Sequence, residues 1–367
     1  MKSILGFCIL FFVVSMFLGA EGEGESSEKI DKLFTMSLED LMNVKISTAG
    51  KSPEKITDIP ASVVLITRED IEIYGYRTLA EILQNIPGLY GIDDYSEDGI
   101  NFGVRGFWSG VPNDNIVIMI NGVPQGNDFQ SNYPLNKVLV PVEAIDRIEV
   151  VRGPMSVIYG SGAFYGAINI ITNTMSGNSH LNLATLSVGS DNTTKMFVRD
   201  GAISEDYYWA FNATLYNTNG LDKPLRDMVR DPFSLYNYGI DPGKSTAKTL
   251  EENHKYFNFT GGYKGFYFNF NYAENKREIY FLLPSVSDGT LARITAADVN
   301  FGYKKDISEK LSIDAKFTYS RNRVNTKYDF LFPGFYGVET VDSNAWEGEF
   351  ILFYRPNPLL DITSGLY

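Results

Sequence analysis

The chain has 367 residues, with 45 acidic against 32 basic side chains and a formal net charge of -13. This balance argues against nucleic-acid binding, because phosphate contacts need clustered lysine and arginine. One cysteine, Cys8, and two histidines, His180 and His254, leave no disulfide framework and no histidine pair at metal-ligand spacing, so we expect neither a metal nor another cofactor.

The N-terminus has the order of a secretory signal peptide, which we place at residues 1–20. Lys2 precedes an apolar run from residue 4 to residue 18, and the small residues Gly19 and Ala20 follow. The run is too short to span a bilayer comfortably. Export is therefore predicted, and because Cys8 leaves with the signal, the exported chain should have no thiol chemistry.

Residues 21–56 are predicted to be a flexible N-terminal segment. It opens with the acidic, glycine-rich stretch EGEGESSE, which has too few apolar residues to pack. Further along lies the β-prone hexapeptide VKISTA, Val44–Ala49, which is called the docking segment below. Its composition favours an extended conformation.

Residues 57–173 are predicted to form a compact α/β domain, whose length is usual for one hydrophobic core. In the second of two predicted helices, Leu79, Ile82, Leu83 and Ile86 share one face. The predicted strands are Ser62–Thr67, Ile116–Ile120, Arg147–Val151 and Ala167–Thr172, the predicted helices are Arg68–Tyr74 and Thr78–Ile86, and Asn121–Gly122 is a turn.

Two patterns in this domain imitate binding sites. Asp94, Ser96, Asp98 and Gly99 match the first half of a calcium loop, but Arg105 occupies the twelfth position, where the loop needs glutamate. A solvated acidic loop is the preferred interpretation.

The second pattern is glycine-rich. The spacing from Gly160 through Gly162 to Gly166 is one residue too long for a dinucleotide-binding loop, and a predicted strand follows where such a loop needs a helix. An enzyme of that class is therefore a disfavoured alternative. The glycines are expected to supply turns and close passage between strands.

From residue 180 to residue 367 the hydrophobic period changes to strict alternation. Tyr207–Tyr216 places Trp209 and Phe211 on one face and Asn212 and Thr214 on the other, and nine such segments occur, joined alternately by long and short connections. This pattern is typical of an outer-membrane β-barrel, although a water-soluble sandwich would also alternate. Since nine strands cannot close evenly, we expect an incomplete, truncated antiparallel transmembrane barrel.

Four stretches in the α/β domain resemble the TonB-dependent outer-membrane receptors, in which a plug domain lies inside a barrel. They occur in the order and spacing of the plug: Ile59–Leu89, Phe102–Phe107 (FGVRGF), Ile116–Pro124 (IVIMINGVP) and Val142–Asn173. The resemblance implies residence in the outer membrane of a Gram-negative bacterium, in contact with its lipid. It also implies the fold class of an α/β plug followed by an antiparallel, all-β barrel.

The resemblance also implies roles for particular residues. Val44, Lys45, Ile46, Ser47, Thr48 and Ala49 match the box that docks on the TonB-type inner-membrane energy transducer, and an extended segment can add to an exposed sheet edge. An ordinary tether is the alternative. Arg105 and Arg152 look like plug residues that pair with acidic partners, some of them on the barrel wall. The plug loops contain Tyr95, Trp108, Phe129 and Tyr133, which are candidates for ligand contact or for packing against the wall.

The predicted function is therefore energy-coupled uptake of a scarce nutrient, a ferric siderophore being the usual ligand in this family, with no enzymatic chemistry. Cobalamin or another substrate of the family is the nearest alternative. A passive pore or adhesin, or a non-functional fragment, is the alternative from another class.

Overall fold

The computed structural model describes residues 45–46, 48, 51, 54–55, 61–93, 100–107, 115–125, 140–160, 162–172, 180–228, 231–237, 239, 241–247, 250–278, 291–329, 336–357 and 360–366. The chain divides into two compact units. One comprises Met1–Lys45 and Lys55–Thr57, and the other comprises Ile46–Glu54 and Asp58–Tyr367. Within the described residues, no helix has the length and apolar character needed to cross a membrane.

The N-terminal domain is built on a five-stranded mixed sheet whose strands lie in the order Ser62–Thr67, Ile145–Arg152, Gly166–Thr172, Ile116–Ile120 and Val123–Pro124. Two-residue strands, β1 and β2, precede it. In chain order the elements are β1 (Lys45–Ile46), β2 (Glu54–Lys55), β3 (Ser62–Thr67), α1 (Arg68–Tyr74), α2 (Leu79–Gln84), β4 (Leu89–Asp93), β5 (Ile100–Val104), β6 (Ile116–Ile120), β7 (Val123–Pro124), the 3-10 turn Val142–Ala144, β8 (Ile145–Arg152), α3 (Ser156–Tyr159) and β9 (Gly166–Thr172).

Local sequence explains where α1 begins and ends. Thr67 and Asp70 form a reciprocal capping box at its start, which satisfies backbone N–H groups that a helix leaves unpaired. Gly75 ends it in the left-handed conformation, at φ 65°. The predicted bounds of β3, α1 and β6 are confirmed, and β9 follows the glycine-rich stretch as a strand, as predicted.

The hydrophobic core lies between α2 and the mixed sheet. The four apolar residues predicted to share a face of α2 and the turn after it are all buried. They join one cluster with Ile118 and Ile148 of the sheet, and Phe197 and Tyr256 of the C-terminal strands belong to the same cluster. The two parts of the larger unit therefore share a continuous core.

The C-terminal part is a nine-stranded antiparallel sheet in which each strand pairs with the next along the chain. This confirms the predicted fold class. The strands are β10 (His180–Val188), β11 (Thr194–Ile203), β12 (Tyr207–Thr218), β13 (Glu252–Tyr263), β14 (Phe266–Glu278), β15 (Leu291–Ser308), β16 (Leu311–Asp329), β17 (Tyr336–Asn357) and β18 (Leu360–Leu366). The connection after β12 carries the 3-10 turn Leu225–Asp227 and the helix α4 (Pro232–Asn237).

The polarity of the two faces of this sheet is the reverse of that in a water-soluble protein, because polar side chains are buried and aromatic ones are partly exposed. Along β12, Asn212 and Thr214 are fully buried, whereas Trp209 and Phe211 are only partly buried. Along β14, Asn269 and Asn271 are buried in the same way. The polar face is the one covered by the N-terminal domain, and the aromatic face points outward, as expected for a barrel wall in lipid.

Candidate functional site

Three residues of the docking segment are described by the structure: Lys45, Ile46 and Thr48. Ile46 and Thr48 have no exposed surface. The other three predicted residues of the segment, Val44, Ser47 and Ala49, lie outside the described residues.

Hydrogen bonds to β8, α3 and β9 hold Thr48 in place. Its backbone N–H and its hydroxyl both donate to Oε2 of Glu149, at 3.2 and 2.5 Å. The Tyr159 hydroxyl donates to the Thr48 carbonyl at 2.8 Å, and Nδ2 of Asn169 donates to Thr48 Oγ1 at 3.2 Å. Every polar group of this buried threonine is thus satisfied, which removes the cost of burying it.

Glu149 divides its two carboxylate oxygens between two partners. Oε2 receives Thr48, while Oε1 accepts from Nε and Nη2 of Arg147, at 2.9 and 2.8 Å. The carboxylate has no exposed surface, so the neighbouring guanidinium compensates a charge that would otherwise be costly to bury.

Tyr159 adds a donor that stays protonated. Burial, followed by the nearby carboxylates of Glu149 and Glu349, raises the pKa of the Tyr159 phenol. The hydroxyl therefore keeps its proton across the physiological pH range and continues to donate to Thr48.

Lys51 fixes the chain just beyond the docking segment to the nine-stranded sheet. Its ammonium group pairs with Glu349 on β17, and the same carboxylate pairs with Lys316 on β16 at 2.8 Å. Lys51 also lies over the Tyr159 ring, 5.4 Å from the centroid. Charge and ring contact together anchor this position.

A second set of ion pairs joins the start of β8 to β11. Arg199 donates to Asp146 at 2.6 Å and to the Ala144 carbonyl at 3.2 Å, and Lys195 pairs with Glu143 at 2.6 Å. The Arg199 side chain is almost fully buried. These contacts attach the N-terminal domain to the sheet at a position separate from Lys51.

Amide and hydroxyl groups form a third attachment. Asn121 donates to Asn269 of β14 at 3.3 Å, and the Thr172 hydroxyl donates to Asn258 of β13 at 3.2 Å. Gln125 donates to Asp298 of β15 at 3.3 Å. The turn at Asn121–Gly122 therefore touches the sheet directly.

The structure brings the two predicted arginines together. Arg105 donates to the backbone carbonyl of Arg152 at 3.3 Å, and Arg152 donates to the Pro87 carbonyl and to the Ser62 hydroxyl, each at 2.6 Å. These contacts tie together the ends of several elements of the domain. The carboxylate partners proposed for the arginines stay a prediction.

The four predicted ligand-contact residues, Tyr95, Trp108, Phe129 and Tyr133, all lie outside the described residues. The acidic loop from Asp94 to Gly99 lies outside them too. Within the described part of the chain, no group of three or more histidine, cysteine or acidic side chains is arranged to hold a metal ion.

The central residues of this site, Glu149 and Asn169, were absent from the predicted set. One signal could have found them: each is a polar residue within an apolar strand, flanked on both sides by isoleucine or valine. In a strand buried on both faces, such a residue needs an internal partner. The partner itself is more than a hundred positions away and cannot be read from the strand.

Comparison with known proteins matches the N-terminal domain. Residues 55–167 match the family model described as TonB-dependent Receptor Plug Domain. A vitamin B12 transporter of Vibrio vulnificus is 24% identical over 83% of this chain, and the match spans 43% of that protein. An iron-regulated outer membrane virulence protein of Vibrio cholerae is 34% identical over 35% of this chain, which corresponds to 19% of its own length. The chain thus spans less than half the length of these relatives.

Solved structures match the fold of both parts. A ferric enterobactin receptor of Pseudomonas aeruginosa superimposes with a TM-score of 0.57 at 16% identity, covering 83% of this chain and 48% of that one. A structure described as a copper transporter superimposes with a TM-score of 0.60, also at 16% identity, covering 89% and 46%. At this identity the likeness concerns the fold alone.

Proposed function

Since the chain carries the plug domain and the first part of the β-barrel of a TonB-dependent outer-membrane receptor, we propose that it serves energy-coupled uptake of a scarce nutrient across the outer membrane. A ferric siderophore is the proposed ligand. The nutrient would pass without covalent chemistry.

One observation carries this proposal: the docking segment is held by a few hydrogen bonds to one buried site. Thr48 is bound through Glu149, Tyr159 and Asn169, all of which lie in the plug. Such bonds are individually modest, so they can be exchanged for bonds to a partner sheet. In our proposal, a TonB-type inner-membrane protein takes the released segment and pulls through it on the plug.

Cobalamin is the second candidate ligand. The vitamin B12 transporter of Vibrio vulnificus is similar over 83% of this chain, whereas the iron-regulated relative is similar over 35%. The longer match to the vitamin B12 transporter supports cobalamin, and the higher local identity to the iron-regulated protein supports a ferric siderophore.

The test is deletion of Val44–Ala49 from the receptor that contains this chain. The host should lack its own siderophore and cobalamin receptors, and growth is measured with ferric enterobactin under iron limitation or with cyanocobalamin under cobalamin limitation. We expect growth to be lost with whichever compound the intact receptor supports. The matched control removes Glu25–Ile30, an equally long stretch of the predicted tether, and should leave growth intact.

Unchanged growth after deletion of the docking segment would contradict energy coupling and would favour a passive pore. If the intact receptor supports growth with cyanocobalamin and not with ferric enterobactin, the ligand is cobalamin and not a ferric siderophore.

A further inference from the structure

Asn169, in the middle of β9, joins the docking segment to a turn of the plug that is distant from it in sequence. Its Oδ1 accepts from the Gly122 N–H at 3.0 Å, and its Nδ2 donates to Thr48 Oγ1 at 3.2 Å. The side chain is 2% exposed. A single buried carboxamide therefore contacts both ends.

We propose that Asn169 is a positioning residue that couples the Asn121–Gly122 turn to the hold on Thr48. When the turn shifts, the carboxamide follows it and Thr48 is released. This inference rests on the proposed function, because it assigns the control of the docking segment to one residue.

The orientation of the Asn169 carboxamide is set by its partners. The Gly122 backbone N–H can only donate, so the oxygen of the carboxamide must face the turn and the nitrogen must face Thr48. The Thr48 hydroxyl in turn donates a hydrogen bond to Glu149. Each group thus donates to the next, from Gly122 through Asn169 and Thr48 to Glu149. Loss of the bond from Gly122 removes the constraint that orients Asn169 toward Thr48.

The turn is placed to receive a signal from two sides. Asn121 donates from its side chain to Thr172 at 2.8 Å and to Asn269 of the barrel wall at 3.3 Å. Both Asn121 and Gly122 have left-handed backbones, at φ 50° and 78°.

The Glu149 end permits reversible release. When Thr48 leaves, Oε2 loses its donors, but Oε1 keeps the ion pair with Arg147. The buried carboxylate is therefore never left without its counter-charge. Reciprocity of linked equilibria requires that holding Thr48 in turn stabilises the position of the turn.

The test is a double-mutant cycle that needs no ligand. Ile46→Cys is introduced into the receptor that contains this chain, because Ile46 has no exposed surface and the single cysteine of the printed sequence lies in the predicted signal peptide. The rate of labelling with a water-soluble maleimide then reports release. Gly122→Ala shifts the turn through backbone strain alone, because Gly122 has φ +78° and no atom lies within 4 Å of an added Cβ.

We expect Gly122→Ala to raise the labelling rate by a factor between roughly 2 and 150, the range that corresponds to coupling energies between residues in contact. In an Asn169→Ala receptor, labelling should already be fast and Gly122→Ala should add nothing. If Asn169→Ala prevents assembly, Thr48→Val replaces it in the same cycle, since it removes the hydroxyl that Asn169 contacts.

Gly75→Ala is the matched control, because Gly75 also has a left-handed backbone and open space but ends helix α1. It should change labelling by the same factor with or without Asn169. An equal factor for Gly122→Ala in both backgrounds, or no effect in either, would overturn the proposal. Neither result depends on transport, so a failure of the coupling and a failure of the proposed uptake function are distinguishable.

Discussion

At the scale of single residues, Glu349 shows how an ion pair can be broken without harm to the barrel wall. Its carboxylate pairs with both Lys51 of the N-terminal segment and Lys316 of the neighbouring strand. If Lys51 leaves, Lys316 still neutralises the charge. The barrel wall therefore tolerates the separation of Lys51 from Glu349. The free energy of this ion pair mainly stabilises the position of the chain next to the docking segment.

We predict that Lys51→Met raises maleimide labelling of Ile46→Cys about fivefold, corresponding to about 1 kcal/mol, the upper end for partly exposed ion pairs. The thermal unfolding temperature of the barrel should not change. Lys195→Met is the control, because it removes a lysine that pairs with Glu143 at 2.6 Å, away from the segment. Equal acceleration by both variants would contradict a specific role for Lys51.

The resemblance to the receptor family predicted the docking segment but not the residues that hold it. Thr48 and Glu149 are 101 positions apart, and Lys51 and Glu349 are 298 apart. Local patterns report periodicity and turn chemistry, whereas these partners depend on how the sheets pack. The contact between Arg105 and Arg152 likewise depends on the fold, because Arg105 follows β5 and Arg152 ends β8, and these strand ends lie together only in the folded domain.

At the scale of elements, β9 depends on one glycine of the glycine-rich stretch. A Cβ at Gly166 would lie 2.4 Å from the backbone oxygen of Val151 on β8. Backbone cannot move aside as a flexible side chain can. This close approach matches the close passage between strands that was predicted for the glycines.

Gly166→Ala should therefore destabilise the plug by about 2 kcal/mol, a typical cost of overpacking. Pulse proteolysis in urea, scored on plug fragments, measures the change. The matched control is Gly348→Ala on β17, where no atom lies within 4 Å of the added Cβ. A stability loss at Gly348 as large as at Gly166 would show that the clash is not the cause.

The hairpin of β4 and β5 was not predicted. Its strands pair from Leu89↔Val104 to Asp93↔Ile100, across residues whose composition indicates an acidic loop. Within it, the Tyr90 ring covers Gly103, so close that an added Cβ would be 2.0 Å from the ring. A ring packed over a glycine on the partner strand leaves no periodic signal in either strand. Gly91 in β4 and Gly103 in β5 also interrupt the alternation of apolar and polar residues.

At the scale of the whole molecule, the nine-stranded sheet was predictable because its two environments are opposite in polarity. Lipid on one side and plug on the other impose a period of two on every strand. The sequence could not tell which face meets the plug. The structure assigns the buried asparagines to that face, where Asn258 and Asn269 bond to each other and to the plug.

Phe317→Lys tests the assignment of the aromatic face to lipid. Phe317 is half exposed and packs against Trp346 with centroids 5.6 Å apart. A lysine there should destabilise the inserted barrel by about 2 kcal/mol, measured as loss of heat-modifiable receptor in outer-membrane fractions. Ile307→Lys, equally exposed but next to the β15–β16 turn, should have little effect. Equal loss in both variants would contradict the assignment.

The bond between Lys51 and Glu349 also has a consequence for the order of assembly. Each barrel strand pairs with its neighbour along the chain and so closes a short loop, whereas Lys51 and its partner are 298 positions apart. Closing so large a loop costs entropy that only the finished β16–β17 pair can offset. The Lys51 anchor therefore forms only once this part of the wall exists, whereas the partners that hold Thr48 all lie within the plug.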